Sequence, residues 1–117
     1  MDKLYHQELF ALIDINNCYV SCERVFNPKL NDKPVVVLSN NDGCVISRSN
    51  EAKALNISMA VPWHEIERDA VKAGVQVLSS NYPLYADMSR RFFEILGEHF
   101  NDHDLEPYSI DECFIRL

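Results

Sequence analysis

The sequence has no long hydrophobic run. Its longest apolar stretches fall well short of the roughly 20 residues that cross a bilayer, and the opening MDKLYHQELF lacks the basic-then-apolar order of a secretory signal. Basic residues are scarce as well: 11 Lys and Arg stand against 18 Asp and Glu, a formal net charge of −7. A surface of that sign does not grip phosphate as a whole, so a nucleic-acid role needs help from outside these residues. No CxxC pair occurs. Cys18 and Cys22 would share a helix face, yet His6, His64, His99 and His103 show no ligand spacing to them or to Cys44 and Cys113. That favours free, buried thiols over a zinc site or a disulfide framework. No internal repeat, low-complexity tract or interdomain linker divides the chain. These absences leave one small cytosolic domain or part of one, and 47% hydrophobic residues in 117 supply enough apolar surface for a core.

What is present reads as alternating strands and helices. The apolar run Leu9–Ile15, LFALIDI, ends at Asn16 and Asn17 and predicts a strand buried on both faces. Tyr19, Cys22, Val25 and Phe26 recur at helical spacing until Asn27 and Pro28 stop the pattern. PVVVL and CVIS flank the turn signal SNNDG, which predicts a hairpin or an arch. SNEAKAL predicts a short helix ended by Asn56, a residue that tolerates the left-handed conformation. Pro62 opens another helix with Trp63, Ile66 and Ala70 on one side and Gly74 as its stop, and VQVL follows as a strand. Tyr85, Met88, Phe92, Ile95, Leu96 and His99 place the longest helix between Tyr82 and Phe100. LEPYSIDECFIRL supplies the closing strands, and the whole order argues for an α/β or α+β layer.

Asp111 and Glu112 lie between Ile110 and the apolar Cys113, Phe114 and Ile115 in the last strand. Adjacent carboxylates in apolar surroundings are costly unless a cation meets them, and Lys, Arg or a divalent metal would serve. Asp14 lies near the end of the first strand. If the first and last strands are neighbours, all three carboxylates converge at one edge. A pair of Mg²⁺ ions takes such ligands: few hard oxygens, with positions left for water and substrate phosphates. The plainer alternative stays open, since an acid at a strand end commonly caps a turn and an Asp-Glu pair in a hairpin is commonly solvated.

The segments FALIDINNCYVSCERVFNPKL, KPVVVL, SNNDGCVISRSNEAKAL, SSNYPLYADMS and YSIDECF, in that order, resemble the amino-terminal part of the Y-family translesion DNA polymerases. NNDGCVI and SSNYPLYADMS favour the UmuC-like branch. The resemblance covers essentially the whole chain. It implies a polymerase palm-type sheet with flanking helices and a small fingers subdomain. Residues 1–117 would then be palm and fingers, with the fingers at roughly 30–80 and the rest of the palm, the thumb and the little finger absent. It further implies that Asp14, Asp111 and Glu112, with the backbone carbonyl of Ile15, bind two Mg²⁺ ions together with a dNTP. There the primer 3′-hydroxyl attacks the α-phosphate and pyrophosphate leaves.

Tyr19, five residues after Asp14, matches the family's steric-gate aromatic, whose ring leaves no room for a ribose 2′-hydroxyl; a helix-face core tyrosine is the other reading. Lys53 matches a basic position of the fingers that meets the triphosphate. Ser47 and Arg48 join it as nucleotide-binding candidates, with an ordinary surface arginine the alternative for Arg48. Asn50 stands where many relatives carry tyrosine. The loop Ser39–Gly43 is expected near the templating base, or is simply a tight turn. The implied activity is DNA-directed DNA polymerisation: translesion synthesis in the SOS DNA-damage response by a full-length protein. That protein would act with UmuD′ and RecA on primer–template DNA in the bacterial cytoplasm. This chain resembles a truncated form, inactive alone. A naturally truncated, non-catalytic UmuC-like protein that binds a partner or interferes with the full-length enzyme is the alternative. A nucleotidyl cyclase is a third reading, but SIDE stands where its glycine-rich carboxylate hairpin belongs.

Overall fold

A computed structural model of the chain describes residues 9–116, so His6 and most of the opening segment lie outside the described residues. The elements run β1 (Phe10–Asp14), α1 (Cys18–Phe26), β2 (Val35–Leu38), β3 (Val45–Arg48), α2 (Asn50–Ala54), α3 (Trp63–Lys72), β4 (Gln76–Ser79), α4 (Tyr82–His99), β5 (Leu105–Ser109) and β6 (Glu112–Arg116). This is the mixed α/β pattern the sequence predicts, with the strands shared between two three-stranded sheets. Two compact units result. One joins the residues up to Ile15 with those from Ala86 onward, and the other is Asn16–Tyr85. No helix among the described residues is long and apolar enough to cross a membrane.

In the first unit β6 lies between β1 and β5, antiparallel to both. The register sets Ile13 opposite Cys113 and Asp14 opposite Glu112. Alternation then does the sorting, because successive strand residues point to opposite faces. Ile13, Cys113 and Ile115 pack with Leu96, Phe92, Phe93, Phe100 and Leu105, so α4 covers one face. Phe10, Leu12 and Asp14 take the other face, where Phe10 is 49% and Leu12 is 52% exposed. Among the described residues, the strand expected to be buried on both faces therefore lies at the edge of its sheet with one face covered.

In the Asn16–Tyr85 unit β2 is central, antiparallel to β3 and parallel to β4. Parallel pairing needs a crossover, and α2 with α3 supplies it. Val35, Val36 and Val37 are fully buried, which requires cover on both faces. One face holds Val36, Val45, Ala52, Ile57, Ala70 and Val75, with Trp63 and Ile66 packed against them. On α1 the buried residues are Cys18, Val20 and Cys22, whereas Val25 and Phe26 are exposed. The buried stripe thus includes Val20 and omits the two residues expected to end it.

Local chemistry fixes the ends of these elements. Ser49 is fully buried at the start of α2, where its hydroxyl accepts from the Ala52 amide at 3.1 Å and the Val35 amide at 2.9 Å. One side chain therefore caps a helix and satisfies a strand. Asn56 takes φ +63°, closing α2 as expected, and Gly74 takes φ +82° after α3, where a side chain would be strained. Cys18, Cys22 and Cys113 are buried and Cys44 is half-buried, as cysteines that pack as small hydrophobes are.

Candidate functional site

Asp14 ends β1, Glu112 opens β6, and the two are direct partners in the sheet register. Asp111 stands in the turn between β5 and β6, one step outside the strand expected for it. Three bonds hold that turn. The Ile15 amide donates to the Asp111 carbonyl at 2.9 Å, the Ser89 hydroxyl on α4 donates to the Ile110 carbonyl, and the Ser109 hydroxyl donates to Asp111 Oδ1 at 3.0 Å. As a result Asp14, Asp111 and Glu112 each offer an oxygen within 4.8 Å of the others.

None of the ion pairs among the described residues involves these three carboxylates. Desolvation, the Asp111 charge and a hydrogen bond to Asp111 together push the Asp14 carboxyl above the usual range. Desolvation, then the charges of Asp14 and Asp111, push Glu112 up. The charges are tolerated because Asp14 and Glu112 project from the sheet face that α4 leaves open. Hard carboxylate oxygens gathered without a cationic side chain suit a divalent ion of the Mg²⁺ type.

The other candidates belong to the Asn16–Tyr85 unit. Tyr19 stacks on Tyr85 with ring centroids 4.3 Å apart and planes 12° from parallel, and it meets Tyr82 edge-on at 6.2 Å. It also lines a cavity of about 540 Å³ with Asp42, Cys44, Ile46, Met59 and Tyr82. The Ser39–Gly43 loop borders that cavity and is tied within itself. Asp42 Oδ1 accepts from the Cys44 amide at 3.1 Å, which holds the Asp42 carboxyl below the usual range. Lys53 is exposed on α2. Ser47 is buried, its hydroxyl accepting from the Val20 amide at 3.2 Å. Arg48 donates through Nη1 to the Ile57 carbonyl at 2.6 Å, leaving a buried Nε without a partner. Asn50 accepts from the Asn17 amide side chain at 3.1 Å.

A family model described as impB/mucB/samB matches residues 13–117, nearly the whole chain. The chain belongs to the impB/mucB/samB family. It is 54% identical over 109 residues to protein ImpB of Salmonella typhimurium and 51% identical over 109 residues to protein UmuC of Salmonella typhimurium strain LT2. Each comparison covers 93% of this chain and 25% of the relative. DNA polymerase IV 1 of Bacillus subtilis is 35% identical over 108 residues, covering 90% of this chain and 25% of that protein. Among solved structures, a Y-family DNA polymerase chimera of Dbh and Dpo4 superposes with a TM-score of 0.80 at 24% identity, over 91% of this chain and 31% of the chimera. That likeness carries the fold. The chain thus spans about a quarter of the length of the curated relatives of the impB/mucB/samB family.

Three features of the two units escaped sequence reasoning. Ser109 stands two residues before Asp111, so its position was available as a signal. The partnership of Tyr85 with Tyr19, and the bond from Tyr85 to Glu23, join residues distant in sequence and gave no local signal.

Proposed function

We propose that this chain is the palm and fingers portion of a Y-family, UmuC-like translesion DNA polymerase, with the fingers at about residues 30–80 inside the Asn16–Tyr85 unit. Family membership and the relative named DNA polymerase IV support the class of reaction. The observation that carries the reading is the gathering of Asp14, Asp111 and Glu112 from β1, the β5–β6 turn and β6. The reaction is nucleotidyl transfer from a dNTP to a primer 3′-hydroxyl on primer–template DNA.

In this reading Asp14, Asp111, Glu112 and the Ile15 carbonyl hold two Mg²⁺ ions. When bound, such ions stabilise charge on the transferring phosphoryl group and on the attacking and leaving oxygens. Ser109 orients one oxygen of Asp111, and the Ile15 amide anchors the turn that carries it. Tyr19 presents a rigid ring that excludes a 2′-hydroxyl by collision. Lys53, exposed and without an ion-pair partner among the described residues, meets the triphosphate. Ser47 and Arg48 would have to exchange their present bonds to reach a nucleotide. Translesion synthesis in the SOS response, and action with UmuD′ and RecA, belong to the full-length protein on this reading and rest on the UmuC likeness.

Primer extension in magnesium by the full-length protein tests this. Asp111→Ala should lower extension by about 10²–10³-fold, the scale of losing one preorganised electrostatic contact to a transition state. Undiminished extension by that variant would refute the assignment.

A further inference from the structure

Tyr85 is 0% exposed, yet it is a phenol whose hydroxyl must find a partner when buried. It donates to Glu23 Oε1 at 2.9 Å. Glu23 sits on α1 one turn beyond Tyr19, so neighbouring positions of a single helix grip Tyr85. The Tyr19 ring lies against its face and the Glu23 carboxylate holds its hydroxyl. Tyr82 closes the cluster, its ring edge-on to Tyr19 at 6.2 Å and to Tyr85 at 6.0 Å. A ring stacked at 4.3 Å on a buried, hydrogen-bonded neighbour has no open space to tip into on that side.

We infer that the Glu23–Tyr85 hydrogen bond is a specificity device: it fixes Tyr85 as a backstop that stops the Tyr19 ring from yielding when a ribose 2′-hydroxyl presses on it. This rests on the reading of Tyr19 as the sugar gate. A steric filter discriminates only as well as its wall resists displacement, because a wall that yields turns a clash into a small strain. Tyr85 and Glu23 are therefore positioning residues that need not touch the nucleotide. Burial and the adjacent carboxylate also raise the Tyr85 phenol above its ordinary range, although an ordinary phenol is already a donor at neutral pH.

The experiment is single-nucleotide insertion by the full-length protein, comparing kcat/KM for a ribonucleotide and its deoxynucleotide. The variants are Tyr85→Phe, Glu23→Ala and Glu23→Gln, each made also in a Tyr19→Ala background. Tyr85→Phe keeps the ring and loses the hydroxyl, so it carries the test if Glu23→Ala fails to fold. Removing the bond should raise the ribonucleotide-to-deoxynucleotide ratio about tenfold, within the range of small changes to a steric pocket. Glu23→Gln retains an acceptor and should restore most of the discrimination. In the Tyr19→Ala background none of the three should shift the ratio further, since coupled residues are not additive.

A ratio unchanged in Tyr85→Phe and Glu23→Ala, with Tyr19→Ala collapsing it, would overturn this inference and leave the gate standing. An unchanged ratio in Tyr19→Ala itself would overturn the gate and this inference with it. Equal effects of Tyr85→Phe with and without the Tyr19 ring would also overturn it, by showing a general structural role.

Discussion

Asp14, Asp111 and Glu112 are each set by a different device: the last residue of one strand, a braced turn, and the first residue of the next strand. That construction tolerates little substitution of the turn and more of the surrounding surface. Ser109→Ala removes the bond to Asp111 Oδ1 and frees that carboxylate to rotate. In the proposed polymerase it should weaken the response to magnesium by a few fold and leave the melting temperature nearly unchanged, since an exposed hydrogen bond contributes about 1 kcal/mol or less. Magnesium titration of extension rate checks this, and an unshifted half-saturation would contradict it. Tyr19 offers a second contrast. Tyr19→Phe keeps the ring stacked on Tyr85 and should keep sugar selectivity. Tyr19→Ala forfeits that stack, worth about 0.5–1.5 kcal/mol beyond its area, and should admit ribonucleotides. A variant that melts earlier with selectivity intact would return Tyr19 to the core.

At the scale of elements, Ser49 joins α2 to β2. Ser49→Ala removes a helix cap and leaves the buried Val35 amide unsatisfied, so it should cost about 1–3 kcal/mol in chemical denaturation; a smaller loss would mean the amide finds water. Glu51 links α2 to α1 through Arg24 at 3.0 Å. Its own backbone amide, then Arg24, hold its carboxyl below the usual range. Because the folded value is depressed, its stabilising contribution is present above the ordinary glutamate range and is lost as pH falls through the depressed value. Glu51→Gln should therefore melt earlier than the parent at neutral pH and alike in acid. An equal deficit at both would point to lost packing instead. The sequence revealed much of this scale. Ser39–Gly43 announced its turn, Asn56 and Gly74 their left-handed stops, and the closing hairpin its strands. LFALIDI misled because an apolar run does not disclose which of its faces the described residues cover: α4 lies on one face only, and β1 stands at the edge of the described sheet. Asp111 was expected in a strand because the turn register depends on bonds from Ile15 and Ser89, which are far away in sequence. Asp14 was legible near a strand end and Asp111 with Glu112 as an acidic pair in the last strand, whereas the Tyr85–Glu23 bond, spanning 62 positions, was not.

For the molecule as a whole, the formal charge of −7 opposes DNA binding, and the chain covers about a quarter of its curated relatives. Neutralising backbone phosphates supplies most non-specific affinity for DNA. These 117 residues alone should therefore show no template-dependent primer extension, and synthesis abolished by Asp111→Ala would contradict that. The proposal that the three gathered carboxylates receive a divalent ion has a more direct probe. Mn²⁺, a paramagnetic substitute for Mg²⁺, can be titrated into the isotopically labelled chain while its amide resonances are followed. Without substrate phosphates to complete the shell the affinity should be weak. The broadening should nonetheless centre on Asp14, Ile15, Asp111 and Glu112 and disappear in Asp14→Asn. Broadening spread over the acidic surface, or centred elsewhere and indifferent to Asp14→Asn, would show that the three carboxylates are no metal site.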